Sequence, residues 1–66
     1  MKSWWKNSVW RVNLVKSSNS FVNIYDWCNI EIGPDEYYVT IGYPRGSRDF
    51  YFKHEEDKVK FILRWL

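Results

Sequence analysis

The sequence predicts an α+β fold, a small three-stranded antiparallel-type sheet with helices on one face, in the order β-α-β-β-α. Three observations carry this. Stretches 8–16, 36–43 and 48–53 alternate apolar and polar side chains at period two, as half-buried strands do. Residues 55–66 change to three-and-four spacing, which gathers apolar side chains on one side of a helix. Gly33-Pro34 and Pro44-Arg45-Gly46 stand where the chain must turn.

The N-terminal stretch, Met1 to Asn7, sets Trp4 and Trp5 between Lys2 and Lys6. Exposed indoles lower solubility, so at least one ring should fold back over the sheet or meet a partner. Ser8 to Lys16 follows as the first strand, with Trp10, Val12 and Leu14 on one face and Arg11 and Asn13 on the other. Ser17 to Ser20 is a polar break suited to a turn or a helix start.

Phe21 to Ile32 admits two periods. At helical spacing Phe21, Ile24, Tyr25, Cys28 and Ile32 share a face, Asn19 or Ser20 can cap, and Gly33-Pro34 ends the element. At period two the segment would be a strand apolar on both faces. The helix is preferred, because it alone accounts for both ends.

Glu36 to Tyr43 sets Tyr37, Val39, Ile41 and Tyr43 against Tyr38, Thr40 and Gly42. The turn at Pro44-Arg45-Gly46, with glycine for a left-handed position, makes a hairpin with 48–53, in which Phe50 and Phe52 face the core. Glu55, Glu56 and Asp57 then meet the positive end of a helix, and Lys58, Lys60 and Arg64 follow toward its negative end. Along that helix Val59, Ile62, Leu63 and Leu66 form an apolar stripe beside the pair Phe61 and Trp65. At roughly 1.5–3 kcal/mol for each large side chain buried, it should clamp the domain.

The motif F-x-F-x-x-x-x-D-x-x-x-F-x-L-R-W, carried by Phe50, Phe52, Asp57, Phe61, Leu63, Arg64 and Trp65, resembles the ending of short, mostly uncharacterised proteins of tailed bacteriophages. Trp27-Cys28 followed by Gly33 is similar to a feature of the same proteins. The resemblance covers the last quarter of the chain. It implies a small intracellular phage product that takes over host functions or evades defence, and it brings no catalytic residues with it.

Size and composition bound the rest. Sixty-six residues make one domain, 1–66. Chains below roughly 70–80 residues often need a disulfide, a metal or self-association. Cys28 is the only cysteine, which excludes an internal disulfide and a thiolate metal site and suits a reducing compartment. Five Trp, five Tyr and four Phe offer ring packing in their place. The net charge is +2 with the signs interspersed, so no polybasic arm or acidic block advertises an electrostatic partner. No apolar run approaches the ~20 residues of a membrane span, and no signal-peptide core is present. A soluble, cytoplasmic product is expected.

Chemistry is sparse. Cys28 and His54 are lone residues in no catalytic motif, and a cysteine among apolar neighbours is more often a small buried hydrophobe than a nucleophile. Glu55, Glu56 and Asp57 point in three directions on a helix and do not converge on an ion. Gly33, Gly42 and Gly46 form no phosphate loop. The expectation is therefore no enzyme, no cofactor and no metal.

The surface offers more. Trp4, Trp5, Arg11, Tyr38, Arg45, Arg48 and Tyr51 are of the residue types that protein hot spots favour, and Lys53 joins them as an interface candidate. They suit a protein-binding factor acting by occlusion, a host protein being the expected partner. The same tyrosines and cations could stack on and neutralise RNA or single-stranded DNA, although a solvated sheet face often has this composition and nothing matches the ribonucleoprotein signatures. A third alternative is a structural protein that completes its core by self-association, as a homodimer for example.

Overall fold

A computed structural model describes residues 4–16, 18–43 and 46–66, the side chains of Ser18 and Asn19 excepted. After a short 3-10 helix (Trp4–Asn7) come β1 (Trp10–Val15), α1 (Ser18–Glu31), β2 (Tyr37–Ile41), β3 (Ser47–Phe52) and α2 (Glu55–Trp65). The expected order and α+β class are observed, and Phe21 to Glu31 is helix.

The sheet order is β1-β3-β2, both pairings antiparallel. The hairpin partner β3 thus becomes the central strand, and β1 and β2 the edges. Register sets Trp10 against Phe52 and Val12 against Phe50 on one side, and Tyr37 and Val39 against the same phenylalanines on the other. These side chains share one sheet face, and both helices cover it. Buried there are Val12, Leu14, Phe50 and Phe52 from the sheet, Phe21, Ile24 and Cys28 from α1, and Phe61 from α2.

Aromatic rings supply the compensation that a staple would. Phe61 lies 4.8 Å from Phe50 and 5.2 Å from Phe52 between ring centres, and Trp27 meets it edge-on at 6.2 Å. Phe21 and Tyr25 close the other side of Phe50 at 6.3 and 6.0 Å. Offset and tilted pairs at such distances add about 0.5–1.5 kcal/mol each beyond the area they bury.

Several expectations need correction. The buried side of α2 carries Phe61, with Ile62 and Trp65 half-buried, while Val59, Leu63 and Leu66 face outward. Rings reach further than branched aliphatics, so Phe61 sets the rotation of the helix by inserting between Phe50 and Phe52. Trp65 packs half-buried against the core, edge-on to Trp27 at 6.1 Å, and its Nε1 has no hydrogen-bond partner among the described residues. α1 begins at Ser18, so Asn19 and Ser20, expected just ahead of the helix, lie within its first turn. Any of several small polar residues in succession can start a helix, and the start here is set by where Phe21 and Ile24 reach the core. The strands are shorter than their apolar patterns at the ends, and Ile41 and Tyr43 are exposed although they continue the inward row of β2.

The connections behave as their residues require. Gly33 has φ +113° and its N–H donates to Cys28 O at 2.8 Å, which closes α1. Gly46 has φ +93°, the left-handed conformation the hairpin asked for, while Pro44 and Arg45 lie outside the described residues. His54 precedes α2 in an extended conformation without a side-chain cap bond, and Glu55, Glu56 and Asp57 occupy the first turn as expected. Lys60 Nζ donates to Glu31 O at 3.0 Å and so ties α2 to the negative end of α1.

Gly42 is needed for space. Its N–H donates to Ser47 O at 3.1 Å, and a Cβ there would stand 2.6 Å from Ser47 Oγ and 2.7 Å from Asn13 Nδ2. Those two groups, with Asp49, form a hydrogen-bonded trio in which Asn13 Nδ2 reaches Asp49 Oδ1 at 2.7 Å. Gly42→Ala is expected to cost about 1–3 kcal/mol through forced displacement, read as a lower urea midpoint at unchanged slope. A midpoint equal to that of the parent chain would show that the trio yields freely.

Candidate aromatic interface

The sheet face turned away from the helices carries Arg11, Asn13 and Val15 from β1, Ser47, Asp49 and Tyr51 from β3, and Tyr38 and Thr40 from β2. Strand alternation puts them there, since each neighbours a residue that faces the core. Register brings Arg11, Tyr51 and Tyr38 into one row across all three strands.

Trp5 lies over that row. Its ring stacks on Tyr38 with centres 4.6 Å apart and planes 10° from parallel, and meets Tyr51 at 5.3 Å in a tilted contact. The 3-10 helix is held in place from its C-terminal side. Ser8 N–H donates to Trp5 O at 3.2 Å, and the Ser8 hydroxyl donates to Phe52 O at 2.7 Å while accepting from Trp10 N–H at 3.2 Å. Ser8 therefore bridges the end of the β1–β3 ladder and fixes the entry of the N-terminal segment.

Cations border the rings. Lys6 Nζ stands 5.8 Å from the centre of the Trp5 ring, and Lys53 Nζ stands 5.7 Å from that of Trp4. A shallow recess of about 510 Å³ opens between Trp5, Lys6, Val9, Arg11 and Tyr51. Trp4, Trp5 and Tyr51 are half-buried, and Arg11 is exposed at the margin.

The structure thus gathers Trp5, Arg11, Tyr38 and Tyr51, with Trp4 and Lys53 alongside. Arg48 is not among them. It shares parity with Phe50 and Phe52, so it lies on the helix side, its guanidinium carbon 5.1 Å from the centre of the Phe21 ring and Nη1 donating to Ser47 O at 3.0 Å. Arg45 lies outside the described residues. The tyrosines do not form a bare platform either, because Trp5 already covers Tyr38.

Sequence reading missed Lys6 as a member of this group. Its place next to Trp5 was the available signal.

Lys53 also faces Glu36, whose Oε2 has Lys53 Nζ at 3.8 Å and His54 Nε2 at 3.7 Å, beyond the end of β3. Among the described residues no group of three or more His, Cys, Asp or Glu could hold a metal ion, and no helix is long and apolar enough to cross a membrane.

Cys28 is fully buried, and burial pushes its thiol up to about 12. Burial also raises the Tyr37 hydroxyl, with smaller contributions from Cys28, Tyr25 and Asp26. In the unfolded chain a thiol ionises near 9, so the stability this burial carries is intact below that pH and is lost progressively as pH rises from there toward 12. A thiol reagent at pH 8 should leave the native chain unmodified and label it fully in denaturant. Labelling of the native chain at the rate of a free thiol would place Cys28 outside the core.

Comparison with protein-family models, with curated proteins and with solved structures finds no match to this chain.

Proposed function

We propose that the chain is a small non-enzymatic protein-binding factor that acts by occlusion, its sheet face covering a functional surface of the target. The observation that carries this is the Trp5–Tyr38–Tyr51 cluster, in which the Trp5 ring meets both tyrosines on the face the helices leave open. Half-exposed Trp and Tyr with cations at the margin are what a hot spot with a polar rim consists of. Preorganisation supports the same reading, since Trp5 is already held by Tyr38 and loses little freedom on docking. The resemblance of residues 50–65 to phage proteins supports a phage-encoded inhibitor or modulator of a host protein machine, working in the host cytoplasm.

A second reading, RNA or single-stranded DNA binding, draws on the same indole beside Lys6 and Arg11. Salt separates the two. Tagged protein is used to capture partners from bacterial lysate, with and without nuclease and at two salt concentrations. A stoichiometric protein band that survives both treatments, and disappears with Trp5→Ala but not with Val22→Ala on the outer side of α1, supports the first reading. Nucleic acid that is lost as salt rises supports the second. A band indifferent to Trp5→Ala would remove this face from either role.

A further inference from the structure

Among the described residues β2 has one neighbour in the sheet, β3, and its other backbone side meets no strand. Hydrogen-bond phase tells which groups lie on that side. Lys53 N–H donates to Glu36 O at 3.2 Å and Gly42 N–H to Ser47 O at 3.1 Å, so the even-numbered residues of this segment address β3. Antiparallel alternation then directs the N–H and C=O of Tyr37, Val39 and Ile41 away from the sheet.

This edge lacks the usual protection. Tyr37 to Tyr43 contains no charge and no proline, and Ile41 and Tyr43 are 80% and 92% exposed. By the same phase the unpaired side of β1 belongs to Arg11, Asn13 and Val15, and Lys16 follows, so that edge carries the cations that discourage pairing. An open hollow of about 430 Å³ borders the β2 edge, lined by Tyr25, Pro34, Tyr37, Val39, Ile41 and Arg48.

We propose that a second copy of this chain adds to β2 edge to edge and antiparallel, with a two-fold axis at Val39. In that register Tyr37 lies opposite the partner's Ile41, and Val39 opposite the partner's Val39. All outward N–H and C=O groups of the strand are then satisfied reciprocally, and two three-stranded sheets become one of six. Tyr37 with Ile41 is an aromatic and β-branched cross-strand pair, which accounts for an exposed isoleucine at the end of an inward row.

A two-fold axis at Val39 runs the two strands antiparallel and bonds each outward N–H and C=O to its symmetry mate, which closes the assembly at two copies. A second copy also supplies the burial that a chain of this size otherwise lacks.

Sedimentation equilibrium over a wide concentration range tests this, together with amide hydrogen exchange. The expected result is a concentration-dependent mass reaching twice that of one chain. Ile41→Lys and Ile41→Pro, which alter an exposed side chain and an outward N–H, should each weaken association at least about tenfold. Leu63→Lys on the outer side of α2 should not. Exchange at Tyr37, Val39 and Ile41 should slow with concentration, while Tyr38 and Thr40, bonded to β3, stay protected throughout. Should a variant fail to fold, this alternation in the parent chain reads the same interface. A single-chain mass at every concentration, or a dimer indifferent to both Ile41 substitutions with no alternation in exchange, would overturn the proposal.

Discussion

Phe61→Ala is expected to leave the chain unfolded at room temperature. Phe61 is fully buried and touches rings from β3 and α1, so its removal opens a cavity where three elements meet. Truncating a buried phenylalanine costs about 3–5 kcal/mol. At about 0.05–0.15 kcal/mol per residue, 66 residues hold only about 3–10 kcal/mol in total. The loss is therefore comparable with the whole stability. Phe61→Leu refills part of the volume and should retain a cooperative, lowered melt. Circular dichroism during heating distinguishes the cases, and a native-like melt for Phe61→Ala would mean that α2 is held chiefly by its half-buried residues.

Leu63→Ala should have almost no effect in the same experiment, although the apolar pattern ranked both residues as buried. The difference marks where sequence reading stopped. Period two placed Trp10, Val12, Phe50 and Phe52 on the inner face, and helical spacing placed Phe21, Ile24 and Cys28 toward it, because each of those segments has one apolar side. α2 has apolar residues over more than half its circumference, and its own sequence cannot decide which arc faces the sheet. That depends on the gap between Phe50 and Phe52, which is a tertiary quantity. Strand order was beyond local pattern for a similar reason, since nothing in β1 names β3 as its neighbour. Arg48 was legible and misassigned. Counting by twos from Phe50 puts it on the helix side, whereas residue type alone grouped it with Tyr51 on the outer surface.

The aromatic cluster was partly legible too. Its tyrosines followed from alternation, but Trp5 reaches Tyr38 across more than thirty positions of sequence, and only the expectation that an indole seeks cover pointed there. That dual character makes Trp5→Ala the decisive substitution for function. Its stack on Tyr38 contributes about 0.5–1.5 kcal/mol to stability, so the variant should fold with a modestly lowered melting temperature. If the ring is also a central anchor for a partner, truncation should cost binding 2 kcal/mol or more, about thirtyfold in Kd. The two effects are separable by measuring affinity at a temperature where the variant is fully folded. Trp5→Phe sharpens the comparison, because it keeps a ring on Tyr38 while reducing the area offered outward. Recovery of stability without recovery of affinity would assign the outer surface of Trp5 to the partner. Recovery of both together would mean that the indole serves the fold, and that the contact lies elsewhere on the chain.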